Sequence, residues 1–499
     1  MKLKDAADLM KARANELAAQ LFDNEITGFS IDSRSIRPGE LFFALSQKDY
    51  ERAGFNGTFA DGHEFVPAAL SSGALAAVVR SDHFNSELLK PFHDRLVVVA
   101  DAIAALQTFA HQVYVSWSRP VVGITGSAGK TTAKELTAHI LQSTGRKVLK
   151  SERNYNNGLG LPLTVLRMIS EENSPDAYDV AVLEMGMSSP THEIQRLVQI
   201  TPPDVGVELM VAPVHLEHLG TIENVAAAKA ELIEGLKPGG IAILNADDPL
   251  VIGMRAKHSG RTITFGIDNE ADVSATEIES NRLGLIRFRL HTPLGESPAE
   301  LPMSGRHNLM NALAAASVAT TFDISAPAIA EALRTVTPPK MRGEVLEFAG
   351  GFTVVDDSYN SNPRSLLSMV RTIAEVRSEN RRRIVIAGEM LELGSDEHEL
   401  HREAGRAIAA TGVEVLWGVR GLARDILEGA KEGGLQQTRF FESSVDAAAA
   451  VIKEVKPGDL LLIKGSRGVE TDKVVKALRQ HFPLAGTLEA SDSPANALP

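Results

Sequence analysis

The sequence predicts an α/β protein of three domains built around a mainly parallel central sheet, on the strength of three observations. The chain has 499 residues, enough for two to four domains at roughly 100–200 residues each. Short, continuously apolar runs alternate with helical patterns in two separate blocks, as expected of parallel strands covered on both faces. Between one such run and one such helix lies Gly123-Ile-Thr-Gly-Ser-Ala-Gly-Lys-Thr-Thr132, a glycine-rich turn.

The first block, residues 1–118, opens on Met1-Lys-Leu-Lys-Asp-Ala-Ala-Asp-Leu-Met-Lys11. Its interleaved charged and apolar residues predict an amphipathic helix and lack the apolar core of a signal peptide. Strands are expected at 40–45, 76–79 and 96–100, separated by turn-rich stretches such as Gly54-Phe-Asn-Gly57. The second block, 119–337, starts after Arg119-Pro120 with a strand at 121–125, and adds strands at 180–183, 205–207 and 241–244. Helices are expected at about 130–143 and 223–236, and the Pro-rich Thr335-Val-Thr-Pro-Pro-Lys-Met-Arg-Gly343 reads as a hinge. The third block, 338–485, repeats the alternation with strands at 352–356, 383–387, 413–416 and 459–463, a Rossmann-like arrangement. Residues 486–499 have little to bury and are expected to be a disordered tail.

Fifty-one Lys and Arg against 64 Asp and Glu give 51 − 64 = −13. Such a chain is a poor default partner for nucleic acid or anionic membrane. The absence of cysteine excludes disulfides, thiolate metal sites and cysteine nucleophiles. No apolar run is long enough to span a bilayer, so no membrane insertion is expected and the cytoplasm is the expected compartment.

Gly126, Ser127, Ala128, Gly129, Lys130, Thr131 and Thr132 fall between a strand and a helix. Glycines let backbone amides approach phosphate oxygens, and a helix N-terminus adds partial positive charge. The lysine supplies a mobile cation and the following hydroxyl a magnesium ligand. A plain glycine-rich turn is the bland alternative, which Lys-Thr-Thr at the helix start disfavours. The strict phosphate-loop pattern wants glycine at 124, where this chain has Ile124, so the loop is a shorter, P-loop-type variant. Glu184 follows the apolar run 180–183 and so ends a strand, where ligands of open α/β sheets collect. A solvated strand-end carboxylate explains that position equally well. His215 sits in Ala212-Pro-Val-His-Leu-Glu217; a lone histidine is more often structural than a metal ligand.

Together these motifs resemble the Mur ligase family of cell-wall synthesis, over nearly the whole chain and in the family's order. The first block carries Asp32-Ser-Arg-Ser-Ile-Arg-Pro-Gly-Glu-Leu-Phe-Phe-Ala-Leu45 and Asp61-Gly-His-Glu-Phe65. The second carries the loop, Asn154-Tyr-Asn-Asn157, Glu184-Met-Gly186, His215-Leu-Glu217, Lys229 and Gly305-Arg-His-Asn-Leu-Met-Asn-Ala312. The third carries Asp356-Asp-Ser-Tyr-Asn-Ser-Asn-Pro363, Gly388-Glu-Met-Leu-Glu-Leu-Gly394 and Lys464-Gly-Ser-Arg467.

Within the family the motifs are most similar to the members that add D-alanyl-D-alanine to UDP-N-acetylmuramoyl-tripeptide. The resemblance implies a UDP-sugar-binding first domain, an ATP-binding second domain, and a third domain that takes the incoming dipeptide and closes over the nucleotide. It implies ATP and Mg²⁺, an acyl phosphate formed from the peptide carboxylate, and attack on it by the dipeptide's amine; a monomer is expected. By the same resemblance Lys130 holds the β/γ-phosphates, Thr131, Glu184 and His215 serve the metal, and Asn308 lies at the adenine. Arg342 would reach the γ-phosphate when the third block closes, bringing Asp357, Tyr359 and Asn360 to the nucleotide. Ser33, Arg34 and His63 fall to the UDP portion, Asn154 and Asn157 to the tripeptide side, and Lys464 and Arg467 to the dipeptide carboxylate. Lys229 matches a position carbamylated in several relatives; a cation near phosphate or a solvated helix lysine is the plain alternative.

Three departures stand out. The run after Glu184 is about one residue longer than usual, Glu208-Leu-Met210 replaces a polar Thr-Asn pair, and Asn156-Asn-Gly-Leu-Gly160 replaces Asn-Asn-Glu-Ile-Gly. The rival readings are the relative that adds the third residue to the dipeptide substrate, a folate polyglutamylating ligase, and a non-catalytic nucleotide switch. No Asn-Pro-Arg motif occurs between Gly388 and Gly421, where the first rival usually shows one.

Overall fold

Each apolar run read from the sequence forms a strand, within three residues of its expected bounds. The computed structural model describes residues 1–12, 20–55, 57–152, 154–170, 177–187, 192–214, 216–376 and 382–485. The expected tail therefore lies outside the described residues.

The fold has three α/β domains, each on its own sheet. In the first, β1 (Gly28–Ser30), β2 (Glu40–Phe43), β3 (Ala76–Arg80) and β4 (Leu96–Val99) form a parallel sheet in that order. The amphipathic start forms the helix Leu3–Leu9. Asp101 caps the long helix Ala102–Trp117 by accepting from the Ala104 N–H, and the helix buries Ile103, Leu106, Phe109 and Val113.

The central sheet contains β5 (Val121–Thr125), β6 (Val148–Lys150), β7 (Val180–Glu184), β8 (Val205–Glu208), β9 (Ile241–Asn245), β10 (Arg261–Gly266), β11 (Val273–Arg282), β12 (Leu285–Thr292) and β13 (Gly295–Leu301). Its order is β13-β12-β11-β10-β9-β8-β5-β7-β6. β5 lies between β7 and β8, parallel to both, and all five of its residues are buried. A strand so placed has no polar face, which is why it reads as an unbroken apolar run. The meander β11-β12-β13 is antiparallel. It does not show up among the apolar runs because its strands are covered on one side only: β12, Leu-Ile-Arg-Phe-Arg-Leu-His-Thr, alternates polar and apolar residues.

The third sheet contains β14 (Glu344–Glu347), β15 (Thr353–Asp357), β16 (Arg383–Gly388), β17 (Val415–Val419), β18 (Gln437–Phe441) and β19 (Leu460–Lys464), in the order β14-β15-β19-β16-β17-β18. Only the β14–β15 pairing is antiparallel. Apolar clusters around Val354, Ile386 and Leu461 and around Val355, Val385 and Leu462 cover its two faces, as the alternate residues of doubly covered strands require.

By packing, the chain forms two compact units. One holds residues 1–126, 141–209 and 226–263, and the other holds 127–140, 210–225 and 264 onward. Among the described residues no helix is long and apolar enough to cross a membrane.

Candidate active site

The phosphate-type loop begins where β5 ends at Thr125, and Lys130 opens the helix Lys130–Ser143. Gly129 has φ +87°, a left-handed conformation in which only glycine is unstrained. A Cβ there would also run into the Oδ1 of Asn311. Glycine at 129 is thus fixed twice over, by the turn and by the asparagine packed against it. Ser127 anchors the other side of the loop. Its N–H donates to the Met210 carbonyl at 2.8 Å, and its hydroxyl donates to the Ala212 carbonyl at 3.2 Å and accepts from the Ala212 N–H at 2.9 Å. The segment where the family's polar pair is replaced by Leu209-Met210 therefore supports the loop through main-chain groups, which any side chain leaves in place.

Arg342 donates from Nη2 to the Thr131 hydroxyl at 3.1 Å, and its guanidinium lies 4.1 Å from the Tyr359 ring centroid. Stacking of this kind fixes the planar group while leaving its other N–H donors for an anion. Asn308 is the third residue of the helix Arg306–Thr320, which has Gly305 at its N-cap. It is buried and donates from Nδ2 to the Ser304 carbonyl at 2.7 Å. Its neighbour His307 accepts or donates at Nδ1 with Ser368 Oγ at 3.1 Å, and burial pushes its pKa down to about 4, so the ring is neutral at physiological pH.

The third sheet changes one expectation. Lys464, expected on the dipeptide carboxylate, is buried at the end of β19 and donates to Asp357 Oδ2 at 2.6 Å and to the Asn360 carbonyl at 2.9 Å. The β15–β19 register sets Asp357 directly beside Lys464. Lys464 thus orders the Asp357–Asn360 turn, whereas Arg467 remains exposed at 3.5 Å from Asp472. Burial pushes the Asp356 carboxyl up to about 6, opposed by donation from the Ser358 hydroxyl and N–H.

In the other unit, Glu184 is the last residue of β7 and is buried. Asn156, absent from the residues expected at the site, donates from Nδ2 to Glu184 Oε1 at 2.9 Å. Its signal is present in the Asn154–Asn157 motif, but nothing in that motif distinguishes it from the flanking asparagines. Asn157 is a local cap whose Oδ1 accepts from the Leu159 and Gly160 N–H groups at 3.2 and 2.9 Å, and Asn154 is exposed. Lys229 lies in the helix Ile222–Glu234 and is 2% exposed. His215 lies outside the described residues, as does the segment 188–191 of the longer run after Glu184.

In the first domain, Ser33 and Arg34 form a turn capped by Asp32, which accepts from the Arg34 N–H at 3.0 Å and from its guanidinium at 2.8 Å. The Arg34 side chain is exposed. His63 differs from expectation: it is buried, and its Nε2 accepts from the Arg80 N–H at 3.0 Å. That leaves the proton on Nδ1, which donates to Asp61 Oδ1 at 2.6 Å. With both nitrogens committed, His63 shapes the turn and has no ring donor or acceptor left for a ligand.

The residue types present fit a magnesium nucleotide. Lys130 opens the helix at the turn that Gly129 forms in a left-handed conformation, and the Thr131 hydroxyl in one unit and the Glu184 carboxylate in the other are each hard oxygen donors. The Thr125 hydroxyl at the root of the loop is buried without a hydrogen-bond partner among the described residues.

Two family models match the chain: the Mur ligase middle domain over residues 124–319 and the Mur ligase glutamate ligase domain over 341–467. The UDP-N-acetylmuramoyl-tripeptide–D-alanyl-D-alanine ligase of Bacillus subtilis is 31% identical over 478 residues, covering 95% of this chain and 98% of the relative. The chain belongs to the Mur ligase family. Among solved Mur ligase structures, MurF from Acinetobacter baumannii superposes with a TM-score of 0.83 at 27% identity, covering 96% of this chain and 98% of that one. MurF from Thermotoga maritima in complex with ADP gives 0.76 at 25% identity, over 94% and 99%. The Mur ligase middle-domain match takes in the loop, Glu184, Lys229 and Asn308, and the ligase-domain match takes in Arg342, Asp357, Lys464 and Arg467.

Proposed function

We propose that this chain is an ATP-dependent, ADP-forming ligase that joins D-alanyl-D-alanine to UDP-N-acetylmuramoyl-tripeptide in peptidoglycan precursor synthesis. The observation that carries the nucleotide half is the Arg342–Thr131 contact, which sets a cationic fork beside the helix start that follows the glycine-rich turn. The names of the full-length relatives carry the choice of substrates.

A carboxylate and an ammonium do not condense readily in water, so phosphorylation of the carboxylate supplies a leaving group, and the protein's work is positioning and charge neutralisation. Lys130 and the loop amides of 126–130 hold the phosphates, and Arg342 offsets charge on the transferred group. Magnesium, when bound, screens the phosphate oxygens; Thr131, Glu184 and His215 are its proposed ligands. Asn308, Asp357, Tyr359 and Asn360 line the nucleotide side, with Lys464 acting through Asp357. Ser33 and Arg34 bind the UDP portion with His63 holding their domain's turn, Asn154 and Asn157 border the tripeptide, and Arg467 takes the dipeptide carboxylate. Lys229 serves as a buried cation or, as a carbamate, as a further oxygen donor; mass spectrometry of enzyme prepared in bicarbonate separates the two.

We assign residues 1–118 to the UDP-sugar substrate, 119–337 to ATP and 338–485 to the dipeptide and nucleotide closure, in a cytoplasmic monomer. The test is phosphate release with a substrate panel. Turnover that requires both UDP-muramoyl-tripeptide and D-alanyl-D-alanine is expected. Turnover with the dipeptide substrate and a free amino acid, or ATP binding with no substrate-dependent ADP, would overturn the assignment.

A further inference from the structure

Glu184 is held by a loop that precedes it by some thirty residues in the chain, and three features converge on one residue of that loop. The Asn156 amide donates to Glu184 Oε1 at 2.9 Å. The Asn156 carbonyl accepts from the Gly186 N–H at 2.7 Å, so the same residue also fixes the turn that follows Glu184. Gly186 makes room for it: a Cβ there would lie 2.9 Å from the Asn156 Cγ. The Glu184 main chain is fixed independently, since its N–H donates to Ser151 Oγ at 3.0 Å and the Met185 N–H donates to the Ile124 carbonyl at 2.9 Å.

The loop is tied at its far end to the first domain. Gln107 donates from Nε2 to the Gly158 carbonyl at 2.9 Å, and a Cβ on Gly158 would meet Gln107 and Phe55 at 3.0 and 3.5 Å. Asn157 stiffens the intervening turn by capping the Leu159 and Gly160 N–H groups.

We propose that Asn156 is a positioning residue: its amide sets the rotamer of the Glu184 carboxylate so that the group is presented for the divalent cation. A buried carboxylate on a strand end has rotamers that point away from any ligand, and a neutral donor selects one of them without competing as a charge. Partners of metal-ligating carboxylates act in this way, and their loss typically costs about 10–100-fold in metal affinity. The inference rests on the reading of Glu184 as a metal ligand.

The experiment measures Mn²⁺ binding to the full-length enzyme with ADP by electron paramagnetic resonance, alongside melting temperature and steady-state kinetics. Glu184→Gln tests the underlying reading, and Asn156→Leu, nearly isosteric but without a donor, tests the proposal. Both are expected to weaken Mn²⁺ about 10-fold or more, with Asn156→Leu lowering kcat at limiting metal while leaving KM for the UDP substrate near its original value. Gly186→Ala, which displaces the amide without removing it, is expected to do the same if Asn156→Leu fails to fold. Unchanged Mn²⁺ binding in Glu184→Gln would overturn the metal reading. Loss in Glu184→Gln with full binding in folded Asn156→Leu or Gly186→Ala would overturn the positioning role alone.

Discussion

The phosphate loop and the end of the third sheet are both built from a strand, a turn and a lysine, yet the two lysines have different fates. Lys130 opens a helix after a turn whose shape follows from glycines within the loop itself, with Gly129 at φ +87°. Lys464 ends β19 and is taken up by Asp357, a residue 107 positions away that the sheet register sets beside it. The first turn takes its shape from its own glycines and is anchored through main-chain groups of Met210 and Ala212, whereas the second lysine is held by a charged partner from a distant strand. Substitution in the first should therefore remove activity and spare the fold, and substitution in the second should weaken the fold itself.

The largest effect expected is from Lys130→Ala, which should reduce ligation by about 10²–10³-fold, the loss seen when a preorganised donor to developing charge is removed. Circular dichroism and melting should change little; near-normal turnover would sink the phosphate assignment. Next comes Asp357→Ala. Leaving Lys464 buried without its counter-charge, with only the Asn360 carbonyl to accept from it, should cost about 3–5 kcal/mol of stability, read as a lowered denaturation midpoint for the third domain. A midpoint shift under about 1 kcal/mol, in the range of an exposed ion pair, would mean that Lys464 finds water and that the contrast is wrong.

Asp356→Asn should act in the opposite direction. The folded carboxyl is raised to about 6 by burial, above its ordinary 3.8. A raised folded pKa means that the folded state holds the proton more tightly, so the favourable contribution present at low pH is lost as pH rises from about 4 through 6. Above that the buried charge costs about 3 kcal/mol, since each tenfold change in proton affinity is worth roughly 1.4 kcal/mol. The amide keeps an acceptor for Ser358, so the variant should gain up to about that much at pH 8 and almost nothing at pH 4. Denaturant midpoints at the two pH values decide it; an equal gain at both would point to packing.

Arg467→Ala is expected to have the smallest effect on the fold, within about 1 kcal/mol, because Arg467 itself is exposed, its contact with Asp472 is long, and Asp472 keeps Lys476 as a closer partner. If Arg467 holds the dipeptide carboxylate, KM for D-alanyl-D-alanine should rise while KM for ATP stays put. No change in either would leave the dipeptide side of the third sheet without its proposed cation.

The three-domain order, most strands buried on both faces and the glycine-rich strand–turn–helix at 121–143 are legible in the chain alone. Each depends on short-range rules: an unbroken apolar run has only a doubly covered strand to go into, and Gly-x-x-Gly-Lys-Thr-Thr has few turns available to it. The meander β11-β12-β13 is less legible because one-sided burial leaves polar residues at alternate positions, as in Arg287 and Arg289 of β12. Which polar groups stay available for chemistry is settled by the fold. His63 and Lys464 carry the right functional groups in the right motifs, but the Arg80 N–H and Asp61 claim one and Asp357 the other. Asn156 and Asn157 are adjacent and chemically identical, yet one turns to Glu184 and the other to its own backbone. A hydrogen-bond partner is set by what the fold brings within about 3 Å, and that distance is invisible in sequence unless the partner lies in the same turn.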